Sequence, residues 1–421
     1  PSCGLGEFPR EIFDLADTLE ILNLNGNALR DLPDDLGRLH RLRILFGSEN
    51  AFEHLPPSLG GCPRLEMVGF RNNRIDSLPA EALPPLLRWL ILTGNRLRAL
   101  PDAIGGCNLL QKLMLSGNRL AVLPEELAQC ERLELLRIAA NELPALPPWL
   151  LQMPRLAWLA FAGNPCAPLP KFPPQFLPEI DWSALVLEDK LGEGASGSIH
   201  RAFWHAGAED EAESVAVKMF KDTMTSDGLP ECELAACLAS GNHANLIPLR
   251  GRLVNHPQGA QGLVMDLLRP GSRTLAGPPS FESCTRDVYP EGLRLEPEMA
   301  LAIARGAASA AAHLHARGIH HGDLYAHNLH WHKNGDTLLG DFGAASFYAR
   351  EDDTLASALE GIEARAFGCL LEELITHSEW ITEHAAQCDV LEGLCRQCLL
   401  PDPRQRPRFI ELAAALGGDR G

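Results

Sequence analysis

The chain has 421 residues, 46% apolar and 22% charged, which is enough for two or three globular domains with cores of their own. Its formal net charge of −18 is unevenly placed: 17 Lys+Arg against 20 Asp+Glu up to residue 180, and 20 against 35 beyond it. That balance argues against nucleic acid and anionic membranes as partners, and no stretch reaches the ~20 apolar residues of a membrane-spanning helix.

Leu19 opens a pattern, L-x-x-L-x-L-x-x-N-x-L, whose asparagine recurs at Asn27, Asn50, Asn73, Asn95, Asn118, Asn141 and Asn164. The intervals are 23, 23, 22, 23, 23 and 23, and a Leu-Pro pair follows each asparagine by five and six positions. A unit of this length is one short strand and a return segment. It cannot bury its leucines alone, so stacking is obligatory, with the asparagines bonding backbone in the turns. The pattern resembles the leucine-rich repeat family, which implies an α/β solenoid, a horseshoe, over residues 1–177. Positions between the leucines line its concave face, where Phe46, Trp89, Ile91, Met114 and Trp158 cluster. An apolar patch of this kind predicts a docking face for a protein substrate or regulator; the alternative is that the second half of the chain covers it. After Asn164 come the prolines of NPCAPLPKFPPQFLPEIDW, which end the solenoid and predict an extended, stiff joint.

LGEGASGSI then places Gly192, Gly194 and Gly197 between two apolar runs. Such a loop could open a dinucleotide-binding helix or be an ordinary hairpin turn. No helical pattern follows; instead comes IHRAFW, an acidic loop and VAVK ending at Lys218, so the reading is a hairpin followed by a strand lysine. LPECELAACLASGNH is apolar at helical spacing and offers Glu231 or Glu233 to hold that lysine, with Glu233 in the better register. GLVMDLL reads as a strand, residues 269–290 as an insertion of unassigned role, and EPEMALAIARGAASAAAHLHARGI as a long Ala-rich helix. HGDLYAHN and DFG follow, with Asp323 and Asn328 five apart and Asp341 thirteen further on.

In that order, glycine loop, lysine, glutamate, Asp323, Asn328 and Asp341 resemble the protein kinase family. The resemblance implies an α+β bilobal fold over 181–421, with an N-lobe at 181–268 and a C-lobe at 269–421. It also implies ATP and Mg²⁺. Gly192, Gly194 and Gly197 cover the phosphates, Lys218 held by Glu233 grips them, and Asn328 and Asp341 bind the metal. Asp323 orients the acceptor hydroxyl. Ile199, Ala216 and Met265 bound the nucleotide, whose adenine meets the backbone of Asp266 to Leu268.

Three departures qualify this. His321-Gly322-Asp323 lacks the arginine that demands a phosphorylated activation loop. Tyr325 replaces a lysine common in serine/threonine kinases, leaving His327 as the nearest cationic substitute, mostly neutral at pH 7. Only a short segment separates Asp341 from IEARAFGCLLEEL; Ala358-Leu359-Glu360 sits too close to that helix to serve as the usual Ala-Pro-Glu. In that helix Glu363 stands where an aspartate ties down the catalytic loop, and Arg406 is left without its usual glutamate. His330 stands beneath the adenine, where a leucine is usual. The expectation is an ATP-dependent protein kinase acting on Ser/Thr, with Tyr open. A nucleotide-binding scaffold without turnover and a small-molecule kinase are the alternatives. Twelve scattered cysteines, with one C-x-x-C at Cys395 and Cys398, read as free thiols in a reducing, cytoplasmic setting.

Overall fold

Each repeat commits three residues to a strand and turns back at its asparagine. In the computed structural model, which describes residues 1–170, 178–194, 196–205, 207, 211–221 and 224–417, seven strands result. They are β1 (Ile21–Asn23), β2 (Ile44–Phe46), β3 (Met67–Gly69), β4 (Trp89–Ile91), β5 (Lys112–Met114), β6 (Leu135–Arg137) and β7 (Trp158–Ala160). They form one parallel sheet in strict order and register, so equivalent residues of successive repeats lie side by side. Short 3₁₀ turns such as Pro57–Gly61 and Glu125–Gln129 make the return path.

The asparagines stitch the stack. Asn118 Nδ2 donates to Leu115 O at 2.8 Å in its own repeat and to Leu92 O at 3.0 Å in the one before. Its Oδ1 accepts from Leu97 N at 3.0 Å. One side chain thus serves three backbone groups; the two carbonyls are shared with Asn95 and Asn141, whereas Leu97 N–H depends on Asn118.

Of the proline-rich joint, residues 171–177 lie outside the described residues. The chain re-enters as β8 (Glu179–Asp181), the edge of a six-stranded sheet. Its other members are β9 (Leu185–Glu193), β10 (Gly197–Trp204), β11 (Glu213–Phe220), β12 (Leu249–Val254) and β13 (Gly262–Asp266), in the order β8-β12-β13-β11-β10-β9. Helix α1 (Pro230–Ser240) accompanies this sheet. Below it stand α2 (Pro297–His315), α3 (Asp353–Thr376), α4 (Ala385–Cys398) and α5 (Phe409–Ala415). None of the described helices is long and apolar enough to cross a membrane.

The concave face of the solenoid is not free, which corrects the expectation of an open docking surface there. Trp158 stacks flat on Tyr325, with ring centroids 4.2 Å apart and planes 6° apart, and its indole N–H donates to Leu324 O. Phe281, from the 269–290 insertion, packs between Phe46 at 5.8 Å and Trp89 at 6.4 Å. Met114 is buried in the core of the helical lobe, and Ile91 packs against it. The physical reason is that an apolar strand face needs a cover, and the second half of the same chain supplies it. The insertion is the clamp: Arg286 binds Glu373 and Glu372 of α3, while the Thr285 hydroxyl meets Glu134 of the solenoid.

The exchange runs both ways. Leu359 and Ile362 of α3 are fully buried in the core of the repeats, and Arg406 donates to Pro154 O as well as to Gly361 O. Ala358-Leu359-Glu360 therefore lies inside a helix and contributes to the junction.

Replacing Asn118 by Ala should cost about 1–3 kcal/mol, the usual cost of stranding buried backbone groups, read from chemical denaturation. Leu359→Ala should cost about 2–5 kcal/mol, and repeats and lobe should still unfold in one transition by fluorescence and circular dichroism. Two separated transitions would show that the shared core does not couple them.

Candidate active site

Hydrogen-bonding demands of a hairpin fix the glycine loop. Strands β9 and β10 pair antiparallel up to Glu193 and Ser198, and Gly194 N donates to Gly197 O at 2.9 Å across the tip. A side chain on Gly197 would collide with Met219 O of β11, whereas Gly192 and Gly194 face open space on the side where a Cβ would stand. One glycine is thus needed for close packing, and two leave backbone exposed at the loop tip.

Lys218 projects from β11 and forms an ion pair with Glu233 in the first turn of α1, while Glu231 is exposed. Burial alone would lower the lysine, but the charges of Glu233 and Asp341 outweigh it and hold the ammonium protonated. Both line a cavity of about 230 Å³ with Ile199, Met265, Asn328 and Asp341. Ala216 lies opposite Met265 on the neighbouring strand, and Asp266 ends β13, its N–H taken by Pro248 O at 3.0 Å. Leu268 follows, half-buried. His327, Phe342 of the DFG motif, Cys237, Ser240, Ile247, Leu249 and Gly340 also line it; the last five were not assigned a role by sequence, because small and apolar residues carry no chemical signature. His330, flagged for its oddity, lines the same cavity, and burial lowers its pKa.

Around Asp323 the loop is held by backbone contacts. Glu363 of α3 accepts from Gly322 N at 2.7 Å through Oε1 and from His321 N at 3.3 Å through Oε2, and His315 Nε2 lies 2.7 Å from Oε2. Asn328 Nδ2 donates to Asp323 O at 2.9 Å and to Asp323 Oδ2 at 2.8 Å, which leaves its Oδ1 as the free oxygen. Asp341 is exposed at the cavity edge with a φ of 51°, a left-handed conformation unusual for any residue but glycine.

His327 has a partner that the sequence did not indicate. Its backbone N–H and ring Nδ1 both bind Asp287 of the insertion, at 2.9 and 2.7 Å. Burial alone would lower its pKa; the Asp287 hydrogen bond and the charges of Asp323, Asp287 and Asp341 overcome this and raise it. The ring is therefore biased toward its charged form.

The missing arginine at Gly322 has a steric cause. With φ at 73°, a Cβ there would stand 2.5 Å from Leu159 O of the solenoid and 2.7 Å from Ala344 O. A guanidinium arrives from elsewhere: Arg137 of β6, 2% exposed, donates from Nη1 to Gly322 O at 2.8 Å and from Nη2 to Asp323 Oδ1. Its Nε lies 2.8 Å from Asp227 Oδ1 as a charge contact, off the line of a hydrogen bond. Burial would raise the Asp323 carboxyl, but the Arg137 charge, aided by His327 and His321, keeps it below its ordinary value. Arg137 occupies a concave-face position between repeat leucines, and nothing in its own repeat indicates what it faces.

Residues 185–366 match the family of protein tyrosine and serine/threonine kinases, and residues 63–120 match the leucine rich repeat family. A probable serine/threonine-protein kinase of Dictyostelium discoideum is 24% identical over 253 residues, 55% of this chain and 14% of that protein. Mitogen-activated protein kinase kinase kinase 10 of Homo sapiens is 28% identical over 281 residues, 55% of this chain and 27% of that one. The chain thus spans less than a third of the length of either curated relative. A structure of a leucine-rich repeat protein from Leptospira interrogans shares 30% identity over 39% of this chain and 48% of that chain, with a TM-score of 0.33. One chain thus joins a segment that matches the protein kinase model, residues 185–366, to repeats that match the leucine-rich repeat model, residues 63–120.

Proposed function

We propose that the chain is an ATP-dependent protein kinase that phosphorylates serine or threonine hydroxyls. One observation carries this reading. A single cavity gathers Lys218, Glu233, Asn328 and Asp341, and the Asp323 carboxylate is hydrogen-bonded to Asn328 at its edge.

The donor set suits the cofactor. Asn328 Oδ1 and the Asp341 carboxylate are hard oxygen ligands, the kind that Mg²⁺ takes alongside phosphate oxygens. Bound Mg·ATP supplies the transferable phosphoryl group and the charge that neutralises it. The chain's own residues do the rest. Lys218, fixed by Glu233, meets the α/β-phosphates; the open backbone of Gly192 and Gly194 closes over them, with Gly197 holding the loop on β11. Ile199, Ala216 and Met265 bound the base, and the backbone of Asp266 to Leu268 supplies its polar contacts. Asp323, kept ionised by Arg137, accepts the hydrogen bond of the acceptor hydroxyl and orients it for in-line attack. The cysteines, free throughout and largely buried, fit a reducing cytoplasm.

Asp323→Asn should lower phosphotransfer by about 10²–10⁴-fold while Mg·ATP still binds, measured with radiolabelled ATP and by calorimetry. Equal background labelling by wild type and variant would remove the enzyme reading. Lys218→Met should lower kcat about 10²-fold or more and raise the KM for ATP. Chelation of divalent cations should abolish transfer, and Mg²⁺ should restore it.

A further inference from the structure

Arg137 belongs to the solenoid, yet each of its three contacts is to the kinase half, and those contacts fall on both sides of the catalytic cleft. Asp227 lies in the segment that leads into α1, six residues before Glu233. Asp323 and Gly322 O belong to the catalytic loop below. One planar guanidinium therefore ties the element that positions Glu233 to the loop that carries the candidate base. Arginine suits this task because its rigid fork presents several donors at once and stays charged when buried.

The surroundings make the link structural. Ser116 Oγ donates to Ser226 O at 2.7 Å, next to Asp227, so the solenoid grips the leading segment at a second point. Phe161 N donates to Ser346 Oγ at 3.0 Å, and Trp158 holds Leu324 and Tyr325, so the lower loop is gripped as well. Gly322 leaves the space through which the solenoid backbone approaches.

We propose that Arg137 is a positioning residue for phosphoryl transfer: by bridging Asp227 and Asp323 it holds the two lobes in register, so the repeats act as a built-in activator of the kinase domain. The proposal rests on the kinase reading above for its catalytic consequence. The opposite role, a lock that blocks the base, fits the geometry less well. The Lys218–Glu233 pair is formed, Phe342 is buried, and a cavity of about 200 Å³ lies open beside Asp323, walled by Arg137, Lys112, Tyr325 and His327. Asp323 itself keeps 16% of its side-chain surface exposed. The guanidinium forms one wall of that cavity, and the space beside the carboxylate stays open.

The test compares Arg137→Met, Arg137→Lys and Asp227→Asn in the full chain. Arg137→Met should lower kcat at least 30-fold with less than a threefold change in the KM for ATP, and Arg137→Lys should recover part of the loss. Asp227→Asn should lower kcat by several fold, and adding it to Arg137→Met should cause no further loss, as expected of two groups acting through one contact. A rise in kcat for Arg137→Met would establish the lock and overturn the proposal, as would an unchanged kcat. Asp227→Asn retains the buried arginine and stands in should Arg137→Met fail to fold. A second readout does not need turnover. Hydrogen exchange should quicken together in residues 230–240 and 321–328 in Arg137→Met or Asp227→Asn; quickening confined to one segment would show that the bridge does not couple the lobes. Should wild type transfer no phosphate to any acceptor, the kinase reading fails, while the exchange data still decide whether Arg137 couples the two elements.

Discussion

The stacking of Trp158 on Tyr325 marks the contact on which the architecture depends: a solenoid face too apolar to stand in water, covered by the lobe that carries the catalytic loop. Wholly burying a side chain such as Leu359 or Ile362 is worth roughly 1.5–3 kcal/mol. The junction places several such side chains on each side of the boundary. Two halves that resemble separate families consequently interlock, each lending side chains to the other's core. The insertion at 269–290, Arg406 and the unusual helix α3 all serve that junction, which gives a common cause to features that look unrelated along the chain.

Once the solenoid sits there, the chemistry of the cleft has to accommodate it. Leu159 O leaves no room for a side chain at residue 322, and the catalytic loop accordingly carries glycine. Tyr325 gives up a charged position to become a stacking partner. The positive charge removed from the loop returns through Arg137, and Asp287 tilts His327 toward its charged form. Local sequence departures that suggest a disabled enzyme are, in three dimensions, paired with compensating groups from other segments.

How much of this was legible follows from the range of each signal. The repeat strands were readable because leucine spacing and asparagine position are local and repeated seven times. Glu233 was chosen over Glu231 from helical register alone, and it is Glu233 that meets Lys218. The orientation of the solenoid was not readable, because Phe46, Trp89 and Met114 look the same whether a foreign protein or the chain's own second half covers them. Arg137 was invisible for a related reason: it lies 186 positions from Asp323, and no periodicity links them. The partner of His327 was hidden in the same way: Asp287 stands forty residues earlier in a segment without a recognisable pattern.

The even stacking of the repeats has a final consequence. Parallel strands stand about 4.8 Å apart, so every unit between β6 and the joint acts as a spacer of fixed thickness. Inserting or deleting one unit there would slide the guanidinium by a strand's width, further than a side chain can reach to compensate. Units added before β1 would move nothing in the cleft. Repeat number is therefore under unequal constraint: the units from β2 onward, which meet Phe281 and the cleft, are a ruler cut to length, and only additions before β1 escape it.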